Sequence, residues 1–288
     1  MPRVAHRPLS LVLVLLAVVS AVAFPWRALD LGPGAPNGGT DARGEGGVGV
    51  HAAPAPALPA PEAAIATDRE TRTAWFRLDP PGMEPDPERR PVGVARWITG
   101  PLDAAESDEG RRVELELRWF GADVRLLVAE RILPTEHRVI WREQRGGGGR
   151  TVLVSVDRAD PTALVRVTET AAGAVRRRTM NRDRGAWQLL SLVEAASRDV
   201  QPHGGARVVM PQMATVEPTE LQLETDSDGR RTLSLRFPDG LGGPSFTFEQ
   251  RELVAFAWQA GGPVATRIPQ DEHARWIRFG LGDEHSDD

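Results

Sequence analysis

Val113, Leu115, Leu117 and Trp119 alternate with Glu114, Glu116 and Arg118 along VELELRW. A two-residue period sends one set of side chains to a core and the other to solvent, which predicts a half-buried antiparallel strand. The same reading predicts strands at DVRLLVAERIL, HRVIWRE, TVLVSVD, ALVRVTET and GAVRRRTM, with turn residues between most of them. Further along, ELQLET and RRTLSLRF flank Asp226-Ser227-Asp228-Gly229, while PSFTFEQRELVAFAWQ and PVATRI flank Gly261-Gly262. ARWIRF is read as a closing strand. One segment changes period. RGAWQLLSLVEAASRDV carries Trp187, Leu190, Val193 and Ala196 at helical spacing, predicting one amphipathic helix near 185–198 with its apolar stripe across one sheet face. The expected fold is mainly β, a curved antiparallel sheet or incomplete barrel of about ten strands with one packed helix.

Upstream of this pattern the chain reads differently. Arg3, His6 and Arg7 precede LSLVLVLLAVVSAVAF at 9–24, an uncharged run with Ala21-Val22-Ala23 near its end. A basic flank, an apolar stretch and a small-x-small site make an export signal, cleaved or kept as an anchor. Residues 1–27 are assigned to that signal or anchor, which places the rest of the chain outside the cytoplasm: periplasmic or secreted, or held at the inner membrane. Residues 28–68 are rich in Ala, Pro and Gly without periodicity and are expected to be a disordered tether. The β-rich globular domain is assigned to 69–282, with DPPGMEPDPERRP at 79–91 as a long loop or second linker and DAAESDEG at 103–110 as an acidic loop. An acidic tail, 283–288, follows.

Composition narrows the chemistry. All 35 basic residues are arginine, and cysteine is absent, which removes disulfides, thiolate metal sites and thiol nucleophiles. A net charge of -5 supplies no general attraction to nucleic acid, which is not expected as a partner. Four glycines before Arg150-Thr151 suggest a phosphate loop, yet Gln144 stands where its first glycine belongs and a strand follows instead of a helix. A hairpin tip is the better reading. ETDSDG at 224–229 begins like a calcium loop, but Leu235 occupies the place of its last carboxylate, so a turn is expected there too. The six histidines show no zinc-ligand spacing, and no nucleophile elbow appears. Arg176-Arg177-Arg178 is the one dense basic cluster. Neither cofactor nor metal is expected. Trp75, Trp97, Trp119 and Trp141 fall 22 residues apart, but their flanks share nothing else, so no repeat is inferred.

The candidate site is apolar. Trp119, Trp141, Trp187 and Trp258 lie on stretches expected to face inward, either as cavity lining or as plain core. The element order, with HRVIWREQR, then GAWQLLSLVEAASR, then VAFAWQAGGPVATRI, resembles the lipoprotein-carrier (LolA-like) half-barrel superfamily and its uncharacterised secreted relatives. The resemblance implies an unclosed barrel around a hydrophobic cavity that carries acyl chains. It leads to an exported, non-enzymatic binding or carrier domain for a hydrophobic ligand. The alternatives are an anchored envelope structural or assembly protein, partnered by another envelope protein, and a hydrolase whose acids meet only in three dimensions.

Overall fold

A computed structural model describes residues 70–280, apart from 104–109, 158–164, 181–185, 199–203, 211–214 and 238–241. The signal or anchor at 1–27, the tether at 28–68, the core of the acidic loop and the tail at 283–288 lie outside the described residues. Among those described, no helix is long and apolar enough to cross a membrane.

Fifteen strands form one sheet in the order β8-β7-β6-β5-β4-β3-β2-β1-β15-β14-β13-β12-β11-β10-β9. The first half comprises β1 (Arg72–Asp79), β2 (Gly93–Pro101), β3 (Arg111–Trp119), β4 (Val124–Ile132), β5 (Glu136–Arg145), β6 (Gly148–Asp157), β7 (Val165–Ala171) and β8 (Ala174–Met180). The second comprises β9 (Ala186–Gln188), β10 (Gly204–Met210), β11 (Thr215–Thr225), β12 (Arg231–Arg236), β13 (Gly242–Glu249), β14 (Glu252–Ala257) and β15 (Val264–Ile268). Within each half, every strand pairs with its neighbour in the chain; all these pairs are antiparallel except β9–β10, which is parallel and joined across a helix. The halves join where β1 pairs with β15, Trp75 opposite Ile268. β8 and β9 are successive in sequence but form the two edges of the sheet, so the curved sheet stays unclosed there. Mainly β with a curved antiparallel sheet is what the alternation predicted. The strand count is higher than expected because β1, β2, β9 and β10 carry no clean polar alternation, and Gln250-Arg251 splits one apolar run in two.

Alternation holds on the inward face. In β3, Val113, Leu115 and Leu117 are buried between half-buried neighbours, and in β6 Val152, Val154 and Val156 repeat the pattern. With Phe76, Leu78, Trp97, Phe246, Phe248 and Phe256 they form one continuous core. Burial of such side chains contributes about 1.5–3 kcal/mol each. The glycine run is the β5–β6 hairpin: Arg145 faces Gly148, and Gly146 supplies the left-handed φ of +49° at the tip. ETDSDG is likewise a turn, in which Asp226 Oδ1 accepts backbone N–H bonds from Asp228 and Arg230, each at 2.9 Å. At the open edge, Arg176, Arg177 and Arg178 are exposed on β8, where charge discourages a further strand from adding on.

Two expectations about helices need correction. The central helix, α1 (Leu189–Ser197), starts later than 185 because Ala186–Gln188 pairs in parallel with Arg207–Val209. Nor does it lie with one stripe on a sheet face: all nine of its residues are buried, including Ser191, Glu194 and Ser197. Second, ARWIRF is not a strand. It belongs to α2 (Gln270–Gly280), which opens after Pro269 with Asp271 and Glu272 in its first turn. His273, Trp276, Ile277 and Gly280 share one helical face, and α2 packs on β1 and β2 from the outside. Six residues were too short a window to separate a two-residue alternation from a helical stripe.

Candidate functional site

The interior is organised around α1. Its N-cap residue, Gln188, makes no side-chain capping bond, so the first backbone N–H groups need an acceptor from elsewhere. Glu130 of β4 provides it. This carboxylate is completely buried; Oε1 accepts from Leu190 N at 2.6 Å and Oε2 from Ser191 N at 2.9 Å, and Oε2 also accepts from the Ser191 hydroxyl. His137 Nε2 lies 3.6 Å from Oε2 without a hydrogen bond. At the other end, Arg231 Nη2 donates to the carbonyls of Ala196 at 3.0 Å and Ser197 at 2.9 Å. A negative side chain thus meets the positive end of the helix dipole and a positive one the negative end. The sheet wall holds both ends of the enclosed helix.

Beside the C-terminal end of α1 is a partly open pocket of about 270 Å³. Trp97, Val193, Phe248 and Leu253 give it an apolar floor, and Arg72, Arg198, Arg251 and Arg267 stand among its rim. Glu194 and Glu252 also line it: Arg198 reaches Glu194 at 2.7 Å, and Arg267 pairs with Glu252. A few charged groups around an apolar floor are the usual make-up of a small-ligand site, though this volume is at the low end.

The other buried charges form a clamp beneath α2. Arg77 donates to Asp79 through Nε at 2.9 Å and Nη2 at 3.0 Å, and to the Arg89 carbonyl at 2.8 Å. Glu272 of α2 lies 3.5 Å from Arg77 Nη1 and accepts from Trp276 Nε1 at 3.2 Å. His273 packs on Trp75 with ring centroids 4.6 Å apart. Burial, then the positive charge of Arg96, pushes its pKa down to about 4, while Glu116 pulls the other way. Among the described residues no group of His, Asp and Glu could hold a metal ion.

The tryptophans singled out from sequence do not gather around one cavity. Trp141 is buried in the core, with the Arg150 guanidinium 5.5 Å from its ring centre. Trp119 and Trp258 are half-buried and pack against that core. Trp187 sits on β9 opposite Val208; its side chain lies outside the described residues. The evenly spaced set divides as well, since Trp97 and Trp141 face inward and Trp75 faces α2. Sequence reading missed Glu130, although a signal was present. Glu130 shares the parity of Val124, Leu126, Val128 and Ile132, which puts a carboxylate on the core face of its strand.

No family model matches this chain, and no curated protein matches it. A solved structure described as a β-barrel-like protein of domain of unknown function DUF1849, from Brucella abortus, resembles it over 70% of this chain and 98% of that one. Sequence identity is 10% and the TM-score 0.34, a likeness that bears on neither ligand nor activity. The described chain is built on one curved, unclosed and mostly antiparallel sheet.

Proposed function

We propose that the globular domain is an exported, non-enzymatic binding or carrier domain for an amphiphilic, lipid-like ligand. The pocket beside α1 is the observation that supports this reading: an apolar floor under a rim where four arginines outnumber two acids suits an acyl or other apolar group ending in an anion. The pocket accommodates a head group and a short apolar stretch. A longer chain would have to displace α1, which occupies the interior, so the helix and its Glu130 and Arg231 ties would set what enters. The resemblance of HRVIWREQR, GAWQLLSLVEAASR and VAFAWQAGGPVATRI to the lipoprotein-carrier half-barrels also favours an acyl ligand. Export rests on the basic flank and apolar run of residues 3–24, with the membrane as a partner if that run is retained.

The test is to purify the full chain from the compartment to which it is exported, extract it with organic solvent, and identify bound lipids by mass spectrometry. A near-stoichiometric anionic amphiphile is expected, and Leu253→Asp in the pocket floor should abolish it. A protein that is empty as isolated and does not bind fatty acids in titration overturns the proposal.

A further inference from the structure

The outer face of β3–β5 carries a second groove, of about 310 Å³, bordered by His273 and Ile277 of α2. Its floor follows from strand register. Arg118 on β3 stands directly opposite Arg125 on β4. Arg125 stands opposite Gln144 on β5, and Arg142 is two residues back along that strand. Diagonal neighbours of this kind are about 7–8 Å apart, within reach of long side chains. Three guanidinium groups therefore share one groove.

Like charges directly opposed across strands destabilise a sheet. Two other arginines of this surface meet acids: Arg96 donates to Glu116 at 2.9 Å on the β2–β3 side of the same groove, and Arg138 to Glu136 at 2.6 Å away from it. Arg118, Arg125 and Arg142 have no such partner among the described residues. Burial, then Arg125, holds the Arg118 guanidinium below its ordinary pKa, with Asp123 opposing. His273 on the groove wall stays neutral near pH 7. The site has a surplus of positive charge in a concave, partly apolar setting.

We propose that this groove binds a phosphate-type oxyanion, chelated by Arg118 and Arg125 with Arg142 as a third donor. The guanidinium fork presents paired N–H donors that match phosphate oxygens, and a bound dianion removes the repulsion between the opposed arginines. Ile277 and His273 leave an uncharged wall for whatever the phosphate is attached to.

The full chain is titrated with inorganic phosphate at low ionic strength, where screening is weak. Saturable one-site binding and a rise in Tm are expected. The double variant Arg118→Gln/Arg125→Gln should bind at least about tenfold more weakly, while its Tm without phosphate equals or exceeds that of the wild type. Arg125→Gln alone, at an exposed position, provides the same readout if the double variant fails to fold. Arg176→Gln/Arg177→Gln on β8 should bind as the wild type does. Non-saturable binding, or equal affinity in the groove variants and the wild type, overturns the proposal. Vesicle flotation separates the sources. Groove-dependent binding to phosphatidic acid over phosphatidylcholine vesicles identifies a lipid head group, and phosphate binding without flotation identifies a free phosphate.

Discussion

Replacing Glu130 with alanine removes the carboxylate that accepts from the N-terminal end of the buried helix. Two backbone N–H groups, Leu190 and Ser191, and the Ser191 hydroxyl then lose their acceptor where Gln188 offers no substitute. Each buried polar group left without a partner costs about 1–3 kcal/mol. Relief from burying a charge offsets part of that sum, so Glu130→Ala should destabilise the domain by about 3–5 kcal/mol. Glu130→Gln keeps the volume and one acceptor oxygen but turns an N–H₂ toward a donor, for an expected loss of about 1.5–3 kcal/mol. Ser191→Ala removes a donor and leaves both N–H bonds intact, so about 1 kcal/mol is expected. Urea unfolding followed by far-UV circular dichroism reads all three, and a shift in midpoint at constant slope marks a change in stability. A double-mutant cycle between Glu130→Gln and Ser191→Ala should show coupling of at least about 0.5 kcal/mol. If both Glu130 variants unfold within about 0.5 kcal/mol of the wild type, the carboxylate does not hold the helix, and the account of the interior fails.

Two further predictions concern the clamp under α2. Asp79→Ala removes the bidentate partner of buried Arg77, leaving it the Arg89 carbonyl and Glu272, and should cost about 3 kcal/mol, whereas Glu116→Ala, which frees the half-exposed Arg96, should cost less than about 1 kcal/mol in the same assay. His273 predicts a pH dependence. In the unfolded chain it takes up a proton near pH 6.5, but in the folded protein only near pH 4. The unfolded state therefore binds more protons between these values, and stability is lost as pH falls from about 6.5 to about 4, by at most about 3 kcal/mol. His273→Gln should flatten that part of the stability profile, and an NMR titration showing the ring protonating near pH 6.5 in the folded protein would refute the assignment.

Much of the fold is local and was therefore legible in the chain. Period-two alternation marks β3 through β8, the glycine run marks the β5–β6 hairpin and Asp228-Gly229 the β11–β12 turn, because strand faces and turn dihedrals depend on neighbouring residues. Glu130 was legible too, as a charged residue at a core parity, but its purpose was not. Its partners are 60 and 61 residues away, on a helix whose enclosure appears only when the sheet curves around it. The break between β8 and β9, the joining of β1 to β15, and the facing of Arg118 with Arg125 depend on which strand lies beside which. Side-chain periodicity is the same for any neighbour, so the chain alone determines which face each residue takes; long-range pairing decides what that face meets.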